Sequence, residues 1–216
     1  MAIKKKNLHA EIFNTLRDRI VYLEYPPGML LIEKDLCTEF KVSRSPVREA
    51  IRKLEETNLA TAIPRYGTYV SAIDINEIRC AFEVKIKLEG LASSTAARRI
   101  TPDKLDELEG VIQEVQELAG GTEIEQRTLI GLDAKFHEIV YMACQNDILR
   151  EFLENLHGRC ARLWNSSLGT VASLPDIIGQ LQSIYRAMKD RKAEVAGRLS
   201  EEHVQYFINK LKGQLL

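Results

Sequence analysis

Three arginines occur at four-residue intervals in one short segment, where they could contact a nucleic acid. Arg48 and Arg52 fall on one face of a predicted helix, and Arg44 lies just before its first turn. A guanidinium group matches guanine O6 and N7 with two hydrogen bonds, and it also binds phosphate oxygens. Taken alone, this spacing is more often that of an ordinary amphipathic helix with a solvated charged face. The neighbouring elements must therefore decide between the two interpretations.

The helix that would carry these arginines is predicted by its start signals and its apolar periodicity. Ser45 suits the N-cap, and Pro46 suits the first helical position, where a missing N–H costs nothing. Four apolar residues then recur at positions i, i+3, i+4 and i+7, which predicts one buried stripe with the arginines facing away from it. These residues are Val47, Ala50, Ile51 and Leu54.

The elements on either side complete the pattern of a winged helix-turn-helix. Two helices are predicted before the arginine-bearing one, over Leu8–Val21 and Glu33–Phe40, and a short turn joins the second to the third. Two β-leaning runs follow, Leu59–Ile63 and Thr68–Ser71, with a glycine-containing turn between them, which predicts a hairpin. The order helix, helix, turn, helix, hairpin predicts a DNA-binding domain over residues 1–74.

The rest of the chain, residues 75–216, carries helical patterns and no strand signal. We predict an all-helical antiparallel bundle of six or seven helices there, so the predicted fold class is mainly α. Six of these helices can be bounded from their caps and periodicity. They are Asn76–Arg99, Pro102–Leu118, Glu125–Gln145, Asp147–Leu168, Pro175–Lys189 and Lys192–Lys212.

Composition narrows the possible partners of the chain. The formal net charge is −1 at pH 7, so a DNA contact must come from the local placement of basic residues. The four cysteines are scattered without a Cys-x-x-Cys pair, which favours buried free thiols over a redox or metal role. No apolar run is long enough to span a membrane or to form a signal peptide. We therefore expect a soluble cytoplasmic protein without a membrane partner.

Three blocks occur in order in the first 70 residues: Glu33–Leu36, Val42–Ala50 and Arg65–Val70. Together they resemble the GntR family of bacterial transcription regulators. The resemblance implies that Lys34 binds a phosphate of double-stranded operator DNA. It also implies that Arg44 and Arg48 recognise guanine in the major groove.

Five further DNA contacts follow from the same resemblance. Ser43 and Ser45 would bind backbone oxygens or a base edge at the start of the recognition helix. Gly67 would let the backbone of the wing approach the minor groove, with Arg65 and Tyr66 beside it.

The helical remainder is similar to the FCD-type effector domain of the FadR branch of that family. Such domains often hold a divalent metal through an aspartate, a histidine four residues later and two further histidines. Asp133 and His137 match the first pair, and His203 matches the last histidine. The remaining position does not match, because the register given by Ile184 places Leu181 where a histidine belongs. Leucine has no atom that can ligate a metal.

Two interpretations of this predicted effector pocket stay open. In the first, Asp133, His137 and His203 hold one divalent transition metal (Zn, Ni or Mn), and water or an effector carboxylate completes the shell. In the second, the metal has been lost and these side chains hydrogen-bond an organic effector directly. The resemblance adds Lys85 to the pocket, as a cation for an acidic effector. It also adds Asn146, which could equally cap the following helix.

The other two histidines, His9 and His157, are predicted to be solvated residues on helix surfaces. Neither stands at a position that the resemblance marks as a ligand, and a lone histidine on a helix is more often solvated than bound to an ion.

The function that follows is that of a ligand-responsive bacterial transcription regulator, which is not an enzyme. It would act as a homodimer on a two-fold operator, be associated with the nucleoid when bound, and sense a small organic acid or related metabolite. One alternative is a metal-dependent enzyme that uses the same pocket, although no general base or nucleophile is recognisable beside the ligands. Another is an architectural DNA-binding protein whose helical domain is inert.

Overall fold

A computed structural model of the protein describes residues 8–119, 126–166 and 174–215. These residues fall into two compact units. The first lies within Met1–Ile78 and Gly158–Ser166, and the second within Arg79–His157 and Ser167–Leu216. The predicted domain limits, 1–74 and 75–216, stay a prediction.

The first unit is built on three helices: α1 (Leu8–Val21), α2 (Glu33–Phe40) and α3 (Arg44–Glu56). The four apolar residues predicted to form the stripe of α3 are all buried, and they share a core with the buried face of α1. Lys41 ends α2 in a left-handed conformation, with φ 55° and ψ 45°, which turns the chain into α3. This is the helix-turn-helix that the sequence predicts.

The start of α3 differs from the prediction by two residues. Ser43, not Ser45, is the N-cap, with extended backbone angles of φ −73° and ψ 171°. Pro46 therefore occupies the third helical position rather than the first. The helix tolerates it there because the first turn of an α-helix has no intrahelical partner for its N–H groups in any case.

A two-stranded antiparallel hairpin follows, formed by β1 (Ala60–Ile63) and β2 (Gly67–Val70). Ala60 pairs with Val70 and Ile63 with Gly67. The segment before α2 joins this hairpin, since the Leu31 N–H donates to the Thr68 carbonyl at 2.8 Å. The hairpin is the predicted wing.

We expect Gly67→Ala to lower the free energy of unfolding by about 1–3 kcal/mol. Gly67 has a φ of +123°, and an added Cβ would lie 2.9 Å from Leu30 Cδ1. Gly28→Ala is a matched control, because Gly28 also has a positive φ of +82° but has no atom within 4 Å of an added Cβ. Urea unfolding of both variants should show the larger loss for Gly67→Ala, and equal losses would contradict this account of the wing.

Six helices follow the hairpin in the described part of the chain. They are α4 (Ile75–Arg99), α5 (Pro102–Ala119), α6 (Gln126–Ala143), α7 (Asp147–Ser166), α8 (Leu174–Lys189) and α9 (Ala193–Leu215). The predicted fold class is confirmed: mainly α, with a winged helix-turn-helix followed by an all-helical bundle. Two predicted helix ends, Glu125 and Leu168, lie outside the described residues.

One helix boundary in the bundle has a clear local cause. Helix α6 ends at Ala143, two residues before the predicted end, and Gln145 adopts a left-handed φ of 52°. Asn146 then caps α7, because its Oδ1 accepts a hydrogen bond from the Leu149 N–H at 3.1 Å. Among the described residues, no helix is both long enough and apolar enough to cross a membrane.

Candidate DNA-binding surface and metal site

All eight residues predicted to contact DNA are exposed in the first unit. Lys34 lies in the first turn of α2, and Arg44, Ser45 and Arg48 lie in the first two turns of α3, directly after the capping Ser43. Phosphate oxygens and base edges could reach these groups without displacing any part of the core. Their assignment as DNA contacts stays a prediction.

One predicted contact residue is held in place by a neighbouring helix. The Arg48 Nε–H lies 3.0 Å from Glu33 Oε1 and 2.9 Å from Glu33 Oε2. A guanidinium group has five N–H donors, so this pairing leaves the four terminal ones available for another partner. Glu33 is the first residue of α2, and it therefore orients the arginine that α3 presents. No pattern in the sequence predicts this role of Glu33.

The tip of the wing presents polar and aromatic groups to solvent. Tyr66 is 74% exposed, and Arg65 has a left-handed φ of 70°. The positive φ of Gly67 completes the turn into β2. An exposed wing of this kind is free to enter a DNA groove.

In the second unit, the three residues predicted to bind metal come together. Asp133 and His137 lie one turn apart on α6, and His203 lies on α9. The ligand atoms of the three side chains all lie within 4.8 Å of one another. Asp133 Oδ1 is 3.2 Å from His203 Nε2, and Asp133 Oδ2 is 3.8 Å from His137 Nε2. Both histidines are buried, so the cluster is sheltered from water.

On the side that faces away from Asp133, each of the two imidazole rings contacts an oxygen atom from another helix. His137 Nδ1 lies 3.1 Å from Glu89 Oε2, and His203 Nδ1 lies 2.8 Å from Gln180 Oε1. The Glu89 carboxylate can only accept, so His137 Nδ1 carries a proton, whereas at His203 the tautomer decides which nitrogen donates, because Asp133 and Gln180 lie at opposite nitrogens of the ring. Glu89 and Gln180 were not among the predicted site residues.

Lys85 does not stand free to receive an acidic effector. Its ammonium group forms an ion pair with Glu89, one turn further along α4, and the Tyr141 hydroxyl donates to the same carboxylate. Lys85 is 4% exposed and Glu89 is 0% exposed. Burial would raise the pKa of Glu89, but His137 and Lys85 outweigh it and hold that pKa well below its usual value. The buried cation is thus already neutralised within the chain.

The prediction that His157 is solvated on a helix surface is wrong. Its ring lies beside that of His137, with 5.5 Å between the ring centroids. Its Nδ1 is buried and has no hydrogen-bond partner among the described residues. Burial, with Lys85 and His137 close by, lowers the pKa of His157 to about 3, so its imidazole is neutral. No spacing pattern in the sequence marks this residue.

Two other residues of the predicted pocket have no polar role at the cluster. Asn146 is exposed and caps α7, so the structure places its side chain outside the buried group. Leu181 is completely buried and contributes only apolar surface. The structure thus gathers Asp133, His137 and His203 and separates them from Asn146.

The donor set fits a divalent transition metal. A carboxylate and two imidazoles are ligands that Zn²⁺ and its neighbours prefer, with an open position for a further ligand. Burial would raise the pKa of Asp133, but His137 and His203 hold it well below its usual value, so the carboxylate is ionised. Acceptors on the far side of both rings are the usual partners of metal-bound histidines.

Two family descriptions match the chain. The family "FCD domain" matches residues 80–206, and the family "Bacterial regulatory proteins, gntR family" matches residues 8–70. The HTH-type transcriptional repressor RspR of Escherichia coli (strain K12) is 29% identical over 201 residues, which cover 92% of this chain and 86% of that protein. The uncharacterized HTH-type transcriptional regulator YdhC of Bacillus subtilis is 27% identical over 207 residues, 94% of this chain and 91% of that one.

Solved structures show the same fold. E. coli McbR/YncC superposes with a TM-score of 0.83 at 24% identity, over 97% of this chain and 99% of that one. A putative GntR regulator from Rhodococcus sp. RHA1 superposes with a TM-score of 0.70 at 19% identity, over 94% and 97%. The matched families and relatives are transcription regulators, not enzymes. Because the FCD match spans more than half of the chain and the gntR match covers the winged helix-turn-helix, this protein belongs to the GntR family of bacterial DNA-binding transcription regulators, within the group that carries an FCD domain.

Proposed function

We propose that this regulator senses a small organic acid or related metabolite through a divalent metal held by Asp133, His137 and His203. The observation that carries the proposal is the convergence of three ligand atoms. Asp133, His137 and His203 each offer one ligand atom, and these atoms all lie within 4.8 Å of one another. A carboxylate and two imidazoles at this spacing can bind one divalent ion.

The neutral form of His203 suits a metal ligand. Burial lowers the pKa of His203 and outweighs the opposing effect of Asp133, so the imidazolium form is disfavoured. His137 Nε2 lies 3.8 Å from the second oxygen of the same carboxylate. A divalent metal would bind all three side chains at once, and it would supply a Lewis-acidic position for a ligand oxygen.

Charge balance supports an anionic effector. Lys85 and Glu89 neutralise each other, and Asp133 leaves the cluster with one negative charge when the histidines are neutral. With a divalent ion the total becomes one positive charge, which a single carboxylate would balance. The attraction for an organic acid would then come from the metal site. The resemblance had implied that it comes from Lys85.

Helix α7 offers a covalent route from ligand binding to the DNA-binding unit. Its residues up to His157 belong to the second unit, and Gly158–Ser166 belong to the first. In the first unit, the Asn165 amide donates to the Val21 carbonyl at 2.7 Å, and Arg162 donates to the Ser71 carbonyl. A ligand that favours one setting of α7 would thereby favour one setting of the helix-turn-helix.

The regulator would act on DNA as a homodimer. A two-fold protein matches a near-palindromic operator, with one winged helix-turn-helix on each half-site. Lys34, Arg44, Arg48 and the wing would then be present twice, which suits both affinity and half-site spacing. We place this action in the cytoplasm, on operators in the nucleoid.

Elemental analysis of protein purified without added metal tests the proposal. We expect about one divalent transition ion per chain, and we expect His203→Ala to weaken its binding by more than the roughly 10–100-fold typical of a lost outer-shell partner. His9→Ala is the control, because His9 belongs to the first unit and pairs with Glu49. Metal-free protein that binds an organic acid equally well with and without a chelator would overturn the metal-dependent sensor.

A thermal-shift screen of small organic acids, with and without divalent ions, identifies the effector class. A ligand present at 100 times its Kd stabilises the folded state by about 2.7 kcal/mol. We expect increases in melting temperature that require both the acid and the ion. An architectural protein with an inert helical domain would show none, and its affinity for DNA would not respond to any of the acids.

A further inference from the structure

Four exposed apolar side chains lie on the outer surfaces of α4 and α7. Val84 and Leu91 of α4 are 52% and 51% exposed, and Ile148 and Phe152 of α7 are 72% and 62% exposed. The first two are seven residues apart and the other two are four residues apart, so each pair shares one face of its helix. All four belong to the second unit. Apolar residues scattered singly over a surface need no explanation, whereas a contiguous patch marks an interaction site.

Helices α4 and α7 run side by side in opposite directions. Glu77, in the first turn of α4, forms an ion pair with Arg159, in the second half of α7. At the other end of α4, the Gln145 side-chain amide donates to the Arg99 carbonyl at 3.2 Å, and Gln145 lies two residues before α7 begins. The start of α4 therefore lies beside the second half of α7, and the end of α4 lies beside the start of α7.

The ion pair also shows that the two apolar pairs lie on the same side of this pair of helices. Val84 follows Glu77 by seven residues, and Phe152 precedes Arg159 by seven. Because the helices are antiparallel, both residues lie about two turns from the ion pair, in the same direction and on the faces that carry it. Leu91 continues the face of α4 by another seven residues. We call the four residues the α4–α7 patch: Val84, Leu91, Ile148 and Phe152.

The two edges of the α4–α7 patch carry charges of opposite sign. On α4, the side chains of Lys87 and Arg98 are 73% and 59% exposed, although each pairs with a carboxylate of α9. On α7, Asp147, Glu151 and Glu154 are all exposed, with a single arginine among them. A surface with one mainly cationic and one mainly anionic edge is complementary to a copy of itself turned by 180°.

We propose that the α4–α7 patch is the surface through which two copies of this chain form the homodimer. This inference rests on the proposed function, which requires two winged helix-turn-helix units on one operator. A two-fold axis parallel to the two helices lays α4 of each copy on α7 of the other. The apolar pair of each helix then covers that of the other, and each cationic edge meets an anionic edge. One isologous contact thus buries both apolar pairs and pairs both edges.

Sedimentation of the full chain over a range of concentrations tests this surface. We expect wild type to be a dimer, and we expect Phe152→Glu to raise the dissociation constant of the dimer at least about 30-fold, because a charge would replace an aromatic residue at the contact. Leu91→Glu, on the other helix of the patch, should also weaken the dimer. Val195→Glu is the matched control, since Val195 is also an exposed apolar residue on a helix but belongs to α9.

Hydroxyl-radical labelling of wild type does not depend on any variant folding. Phe152 should be labelled less in the concentrated dimer than in dilute monomer, whereas Val195 should be labelled equally in both. Equal labelling of Phe152, or folded Phe152→Glu and Leu91→Glu variants with the dissociation constant of wild type, would overturn the α4–α7 patch as the interface while the homodimer itself stands. Wild type that stays monomeric and binds operator DNA as a single copy would overturn the homodimer together with this inference.

Discussion

Replacing Glu89 by leucine is expected to lower the free energy of unfolding of metal-free protein by about 3–5 kcal/mol, which is the usual cost of stranding one partner of a buried ion pair. Glu89 is the shared acceptor for the Lys85 ammonium, the Tyr141 hydroxyl and His137 Nδ1. Without it, Lys85 would be a buried charge without compensation, and the donors of Tyr141 and His137 would lose this acceptor. Urea unfolding followed by circular dichroism measures the loss.

A second charged pair on the same helix provides a matched control for the Glu89 prediction. Arg79 and Glu83 are also four residues apart on α4, at 3.6 Å, but their side chains are 60% and 65% exposed. We expect Glu83→Leu to change stability by less than about 1 kcal/mol, because exposed ion pairs contribute little. Comparable losses for Glu83→Leu and Glu89→Leu would show that burial is not the cause.

Removing both charges of the buried pair separates charge stranding from lost packing. In the double variant Lys85→Met, Glu89→Leu, no buried charge remains, so we expect it to recover a large part of the stability that Glu89→Leu loses. A double variant no more stable than Glu89→Leu alone would indicate that the bonds from Tyr141 and His137 dominate. The single variant Lys85→Met completes the double-mutant cycle, which then measures the coupling between Lys85 and Glu89.

Arg48→Ala is expected to weaken binding to the preferred operator by about 1–3 kcal/mol, or roughly 5- to 150-fold in Kd, and to relax base preference at one position of each half-site. Arg48 is exposed on α3, and Glu33 orients its guanidinium group through Nε. The variant would lose the predicted bidentate contact with guanine together with its base discrimination. Selection from a random duplex library with wild type would define the operator, and Kd values for single-base variants would follow.

Two other substitutions distinguish base recognition from general attraction to DNA. Lys34→Ala should weaken binding to all sequences alike and reduce the salt dependence by about one phosphate contact. Arg52→Ala, on the same helix but paired with Glu56 at 3.7 Å, should have the smaller effect. If Arg48→Ala behaves like Lys34→Ala, with preference unchanged, Arg48 contacts the backbone and not a base.

The helices and the wing could be predicted because each depends on residues close together in the chain, and the general function could be predicted because of the family resemblance. The apolar stripe of α3 is a repeat of three and four residues, and its four members are buried as that repeat requires. The pair Asp133 and His137 could also be predicted, since i and i+4 share a helix face. Small errors arose where several caps compete locally, as at Ser43 and Ser45.

What the sequence by itself determined about this protein is therefore its family, its element order and the residue types that could ligate an ion. Only the tertiary structure brought Glu89 to His137 across 48 residues, and Gln180 to His203 across 23. The structure also places His157, which was expected at the surface, beside the ring of His137, and it pairs Lys85 with Glu89. Such meetings depend on how helices pack side by side, and the periodicity of a single helix carries no information about which neighbour its buried face will contact.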